Sequence, residues 1–172
     1  MNIFFNLVLF SFIFALTLTA YAAYVGAPPL LTPKKAVRRM LELAQVGPGD
    51  TVYDLGCGDG RVVIMADKEF RAEAVGFELS PFLYIVGQIK RFFSKAARTK
   101  ILFKDFYNQD LTKADAIICF LTPRTMPRLQ KKLEKNIKSG TRLVSYAFEA
   151  KDWKPEKIEK LKGLASIYLY IL

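Results

Sequence analysis

Residues 51–66 read TVYDLGCGDGRVVIMA, with glycines at 56, 58 and 60 set between Asp54 and Asp59. A β-branched and aromatic run enters the stretch and an apolar run able to form a helix leaves it, which makes it a strand, a tight loop and a helix start. Glycine turns a backbone sharply and lets it approach a ligand with no Cβ in the way. Such a loop at the end of a strand fits a layered α/β sheet, whose ligands bind at the carboxyl ends of the strands where strand order reverses.

The rest of the chain supports that architecture. Strands are expected at 51–55, 74–78, 100–103, 114–121, 141–148 and 165–172. The 114–121 run is nearly continuous in apolar residues, as a strand covered on both faces should be. Ser80-Pro81 opens a helix to about residue 97, apolar over much of its circumference through Phe82, Leu83, Ile85, Val86, Ile89, Phe92 and Phe93. Met126, Leu129, Leu133 and Ile137 form a helical stripe closed by Ser139-Gly140. Upstream, Thr32 reads as an N-cap with Pro33 in the first turn, and Gly47-Pro48-Gly49-Asp50 ends that helix. The expected fold class is α/β, a doubly wound, Rossmann-like, mainly parallel sheet. One strand alone is visible after the fifth.

The chain has 172 residues, room for one such domain. Residues 1–33 contain no Asp, Glu, Lys or Arg, and 3–25 are almost all apolar, long enough for a transmembrane helix across a bilayer core of roughly 30 Å. Ala20-Tyr21-Ala22 offers a signal cleavage site, but no Lys or Arg precedes the apolar run, while Lys34, Lys35, Arg38 and Arg39 follow it. The charge asymmetry favours a retained single-pass membrane anchor with the following domain in the cytoplasm. Domain organisation is then an anchor and Gly26-Ala27-Pro28-Pro29 connector at 1–27 and the α/β domain at 28–172.

Cys57 and Cys119, in a glycine loop and an apolar strand, have neither disulfide-like nor metal-like spacing. The chain has no histidine, which removes His-based triads, the commonest general base and His-containing metal sites, so no metal is expected. A net charge of +10 favours anionic lipid, acidic protein or nucleic acid without choosing among them.

Spacing narrows the ligand. The order Gly56-x-Gly58-x-Gly60 is not the G-x-G-x-x-G of dinucleotide sites, and no Gly-Lys-Ser/Thr follows to make a P-loop. Two carboxylates beside the loop repel a pyrophosphate and suit a cationic or neutral nucleoside. Glu78 ends the second strand and can accept ribose hydroxyls; Asp105 can receive an exocyclic amine and Phe106 can offer a face to adenine. Plainer roles stand beside these: Asp59 as a helix N-terminal charge, Phe106 as core, Thr122-Pro123 as a strand end, and Trp153 and Cys119 as packing.

The segments VYDLGCGDGRVV (52–63), AVGFELSP (74–81), KDF (104–106), CFLTP (119–123) and GTRLVSYAF (140–148) together resemble class I S-adenosylmethionine-dependent methyltransferases. The LLTPKKAVRRMLELAQVGPGD lead-in, with Phe148 and Trp153, is similar to a small membrane-anchored subgroup that methylates lysines of the adenine nucleotide translocase and of the ATP synthase c-ring protein. The resemblance implies S-adenosyl-L-methionine as cofactor. It places Asp54, Gly56, Cys57, Gly58, Asp59 and Gly60 around the methionine part, Glu78 at the ribose, Asp105 and Phe106 at the adenine, and Thr32, Thr122 and Pro123 at the acceptor. It names no catalytic residue. The C-terminal antiparallel pair usual in this fold is expected to lack one strand.

The implied function is lysine N-methylation of a membrane-associated protein, with membrane lipid held by the N-terminal helix. Nucleic acid is disfavoured because FLTP is not the Asn/Asp-Pro-Pro-Tyr/Phe box of amino-methylating nucleic-acid enzymes. Alternatives are methylation of RNA, lipid or a small molecule, and a cofactor-binding module without transfer. A nicotinamide-dependent reductase is disfavoured by the glycine spacing.

Overall fold

A computed structural model describes residues 2–25, 30–135 and 137–172, and within its first helix the side chains of residues 2–17 and 20. The connector at 26–29, and with it the expected domain boundary, lies outside the described residues. In chain order the elements are α1 (Asn2–Val25), α2 (Lys34–Leu43), β1 (Thr51–Leu55), α3 (Arg61–Phe70), β2 (Glu73–Glu78), α4 (Pro81–Ser94), β3 (Thr99–Phe103), β4 (Ala116–Cys119), α5 (Met126–Lys135), β5 (Arg142–Tyr146), β6 (Lys157–Lys160) and β7 (Ser166–Ile171).

The strands form one sheet in the order β3-β2-β1-β4-β5-β7-β6. Neighbours from β3 to β5 are parallel, and β7 runs antiparallel to both β5 and β6. Strand order reverses between β1 and β4, which opens a crevice at their carboxyl ends. Alternate strand residues serve opposite faces. Val52, Ala74, Ile101, Ile118 and Val144 meet α2 and α3 on one side. On the other, Tyr53, Leu55, Phe77, Ile117 and Leu143 meet Met126, Leu129 and Leu133 of α5. The Arg142 guanidinium donates to the carbonyls of Ala44 and Gln45, fastening the end of α2 to β5.

The doubly wound sheet is as expected, with a fuller C-terminal end. Both strands of the antiparallel pair are present, because β6 (KIEK) is an edge strand with little burial on either face and carries no apolar alternation to read. Thr32 does not cap α2: Pro33 holds the N-cap position, and the Thr32 carbonyl accepts from Arg61 Nη1 at 2.7 Å. Helix α4 is shorter than expected, ending at Lys95 in the left-handed region, and leaves Phe82, Ile85, Ile89, Phe92 and Phe93 exposed.

The expected membrane span is corrected. Among the described residues no helix is long and apolar enough to cross a membrane. The single-pass location, the cytoplasmic placement and the lipid contact expected of the N-terminal helix rested on that span and fall with it.

Gly76 shows what the sheet requires of its sequence. It pairs with Asp54 across β1 and β2, and a Cβ there would meet Cys57 Sγ at 2.6 Å and Cys57 Cβ at 2.7 Å. Gly76→Ala should therefore lower unfolding free energy by about 1–3 kcal/mol, the usual range for overpacking. Gly47→Ala, with nothing near its added methyl, should stay within about 0.5 kcal/mol of the parent. Urea denaturation of the three proteins checks both.

Candidate functional site

A cavity lies where β1, β2 and β4 end. The loop after β1 forms its floor through Asp54, Gly56, Cys57, Gly58 and Asp59, Glu78 and Ser80 come from the end of β2, and Lys104 and Phe106 follow β3. Leu30, Leu31, Thr32 and Met40 close it from the segment around α2. The glycine loop is strapped to β2, since the Gly56 and Cys57 amides both donate to the Phe77 carbonyl at 3.0 and 2.9 Å. Gly56, Gly58 and Gly60 have φ of 86°, 55° and 76°, a region that side chains rarely enter. Gly60 does not line the cavity: a Cβ there would strike Ile101 Cδ1 at 2.6 Å, so its part is close packing.

Glu78 is buried and already engaged. One carboxylate oxygen accepts from the Gly58 amide at 2.7 Å; the other accepts from Leu79 and Ser80 at 2.9 and 2.7 Å. A carboxylate has about four acceptor sites. Three are taken by the backbone, which leaves room for one added hydroxyl without disturbing the loop.

Three carboxylates converge here under different conditions. Burial would raise the pKa of Asp59, but Arg61 and Lys90 overcome it and hold the group at about 2. Arg61 contributes Nε at 2.9 Å and Nη2 at 2.8 Å, and Lys90 adds an ion pair from α4. Asp54 moves the other way: burial first, then Glu78 and Asp59, push it up to about 8. Burial likewise raises both thiols, Cys119 to about 12, so neither cysteine is a thiolate nucleophile at neutral pH.

The remaining expected residues divide. Asp105 does not line the cavity; it caps the short turn Phe106–Asn108 by accepting from the Tyr107 amide at 2.9 Å, and that turn places Phe106 at the wall. Thr122 shares a hydrogen bond of 2.7 Å with Thr125, and its carbonyl accepts from the Thr125 and Met126 amides at the start of α5. Leu121 lines the cavity, whereas exposed Pro123 does not. Sequence reading missed Arg61 and Lys90 as partners of Asp59, and Gly76 beneath the loop. Glycine inside a strand pattern was the available signal for the last, because it marks close approach of another backbone. Among the described residues no group of His, Cys, Asp and Glu is arranged to hold a metal.

Comparison with known proteins places this geometry. The ANTKMT methyltransferase domain matches residues 54–157. A protein-lysine N-methyltransferase of Saccharolobus islandicus (strain REY15A) is 38% identical over 159 residues, 89% of this chain and 97% of that protein. An adenine nucleotide translocase lysine N-methyltransferase of Mus musculus is 31% identical over 133 residues, 77% of this chain and 56% of that protein. The crystal structure of an RNA methyltransferase from Salinibacter ruber in complex with S-adenosyl-L-homocysteine superimposes with a TM-score of 0.80 at 33% identity, over 83% of this chain and 93% of that one. The chain belongs to the ANTKMT methyltransferase family and is an S-adenosylmethionine-dependent methyltransferase.

Proposed function

We propose that residues 28–172 form a protein-lysine N-methyltransferase domain whose cavity holds S-adenosylmethionine, and that its acceptor is a lysine of a membrane-associated protein. The observation that carries the cofactor reading is the glycine-floored cavity at the strand ends, where the buried Asp54 carboxyl stands beside Glu78 and Asp59 and is pushed up to about 8 by burial and those two acids. Such a site favours a cation over an anion. When bound, S-adenosylmethionine supplies an electrophilic methyl group on a positively charged sulfonium.

The residues present fit that group. On this reading Asp54 ionises against the incoming positive charge, Glu78 offers its remaining acceptor site to a ribose hydroxyl, and Phe106, at the cavity wall, is assigned to the purine face. Gly56 and Gly58 keep the floor free of side chains. Attack by a lysine requires the neutral amine, so a low-dielectric mouth that disfavours the ammonium assists. Leu30 and Leu31 place apolar surface at the cavity's edge. The lysine reading draws on the relative from Saccharolobus islandicus, and the membrane-associated acceptor on the relative named for the adenine nucleotide translocase. A second reading, methylation of RNA, draws on the Salinibacter ruber structure and on the net charge of +10.

If Asp54 is protonated in the free protein and ionised in the complex, calorimetry at about pH 6.5 in buffers of different ionisation enthalpy should show about one proton released per S-adenosylmethionine bound. Asp54→Asn should release none; binding by the wild type without proton release would remove the charge argument. Glu78→Gln should reduce affinity at least about tenfold, or about 1.4 kcal/mol, with the circular dichroism spectrum retained. Wild-type affinity in that variant would sink the ribose assignment. Radiolabelled methyl transfer to fractionated cell extract should yield a protein band giving methyl-lysine on hydrolysis, whereas label confined to RNA would select the second reading.

A further inference from the structure

Three aromatic side chains stand at the carboxyl ends of β4 and β5, outside every role assigned above. Phe120 directly follows β4 and lines the cavity. Its ring lies edge-on to Tyr146, with centroids 5.1 Å apart and planes at 80°, and is stacked with Phe148 at 6.3 Å and 25°. Phe120 and Phe148 are half-buried, while Tyr146 is buried with its hydroxyl accepting from the Ala165 amide at 3.3 Å. Tyr146 is therefore a fixed support.

The backbone is bent to produce this arrangement. Ala147 has φ of 70°, left-handed geometry that a residue bearing a Cβ adopts only under constraint. Two bonds impose it: the Ala147 amide donates to the Ser166 carbonyl at 2.8 Å, and Ser145 Oγ donates to the Phe148 carbonyl at 2.5 Å. Phe148 belongs to neither hydrophobic core. The turn places its ring against Phe120 instead. Tyr146 belongs to the core that meets α2 and α3, with Phe120 and Ala147 packed against it, so this core carries the Phe120 ring out to the cavity wall, where backbone strain of this kind often accompanies a binding role.

The chemistry of the occupant follows from the surroundings. Aromatic faces attract cations, most strongly where water is excluded, and the same cavity carries Asp54 and Glu78. We propose that Phe120, backed by Phe148 and Tyr146, is the receptor face for the methylammonium that forms on the acceptor lysine as its methyl group arrives. This rests on the protein-lysine reading of the same cavity. The acceptor nitrogen becomes positive as it gains a methyl group, so an electron-rich face there favours the transition state over the neutral amine.

The test uses the full chain saturated with S-adenosyl-L-homocysteine and two probes: Nα-acetyl-Nε-trimethyl-lysine amide, and its neutral analogue with carbon in place of the ammonium nitrogen. The wild type should bind the cation roughly 3- to 30-fold more tightly than the analogue. Phe120→Leu should erase that preference, Phe120→Tyr should keep it and Phe148→Leu should reduce it, each variant being measured at its own saturating S-adenosyl-L-homocysteine concentration. Should Phe120→Leu fail to fold, Phe148→Leu carries the comparison. No preference in the wild type, or an undiminished one in the leucine variants, overturns the aromatic receptor. Failure of the wild type to bind S-adenosyl-L-homocysteine overturns the reading of the cavity beneath it.

Discussion

The Glu78 carboxylate is the joint on which the site depends. By accepting the Gly58, Leu79 and Ser80 amides it ties the glycine loop after β1 to the turn that starts α4. Hydrogen bonds to a charged acceptor are stronger than neutral ones, and these three act where little water competes. The Phe77 carbonyl adds two more bonds to the same loop, and the absent side chain at Gly76 lets Cys57 settle onto β2. A loop of small residues with unusual φ values is thereby made rigid. Its floor is available before any ligand arrives, which reduces the ordering cost of binding.

That rigidity makes the distribution of charge meaningful. Three acids converge, and the protein compensates two of them: Glu78 through backbone amides, and Asp59 through Arg61 and Lys90. The Arg61 guanidinium also holds the Thr32 carbonyl, so the ion pair joins the segment before α2 to the helices that flank the loop. Burial and its two acidic neighbours leave Asp54 the group whose charge is most costly in the cavity. An incoming cation relieves that cost, whereas loss of positive charge from the ligand restores it. On the proposed reading, a sulfonium suits this floor better than a neutral thioether does.

Much of this was legible in the sequence because it depends on residue types that can be read locally. The glycine spacing, the acid at each of the first two strand ends and the apolar stripe of α5 each signal their own place. What was not legible depends on partners far apart in the chain. Nothing near Asp59 announces Lys90, 31 residues later, and the charged edge strand β6 lacks the alternation by which strands are found. The sequence offers Asp105 and Phe106 together as ligands; the Asp105 carboxylate closes a local turn, and Phe106 lines the cavity. A short acidic side chain after a strand serves either purpose, and spacing does not separate them.

The two halves of the sheet also differ in how their sites are specified. The β1–α3 loop carries its instruction in glycine, so its backbone geometry and its sequence agree. The β5 end reaches a comparable geometry at Ala147, where the residue alone would predict the opposite. There the conformation is imposed by Ser166 on β7 and by the Ser145 hydroxyl, so the antiparallel strand at the sheet's far side shapes the cavity mouth. Replacing the alanine with glycine would relieve strain and also free the turn to place Phe148 elsewhere. A loop prescribed by its own residues on one side and a turn imposed by tertiary hydrogen bonds on the other are the two ways in which the carboxyl ends of this sheet are set.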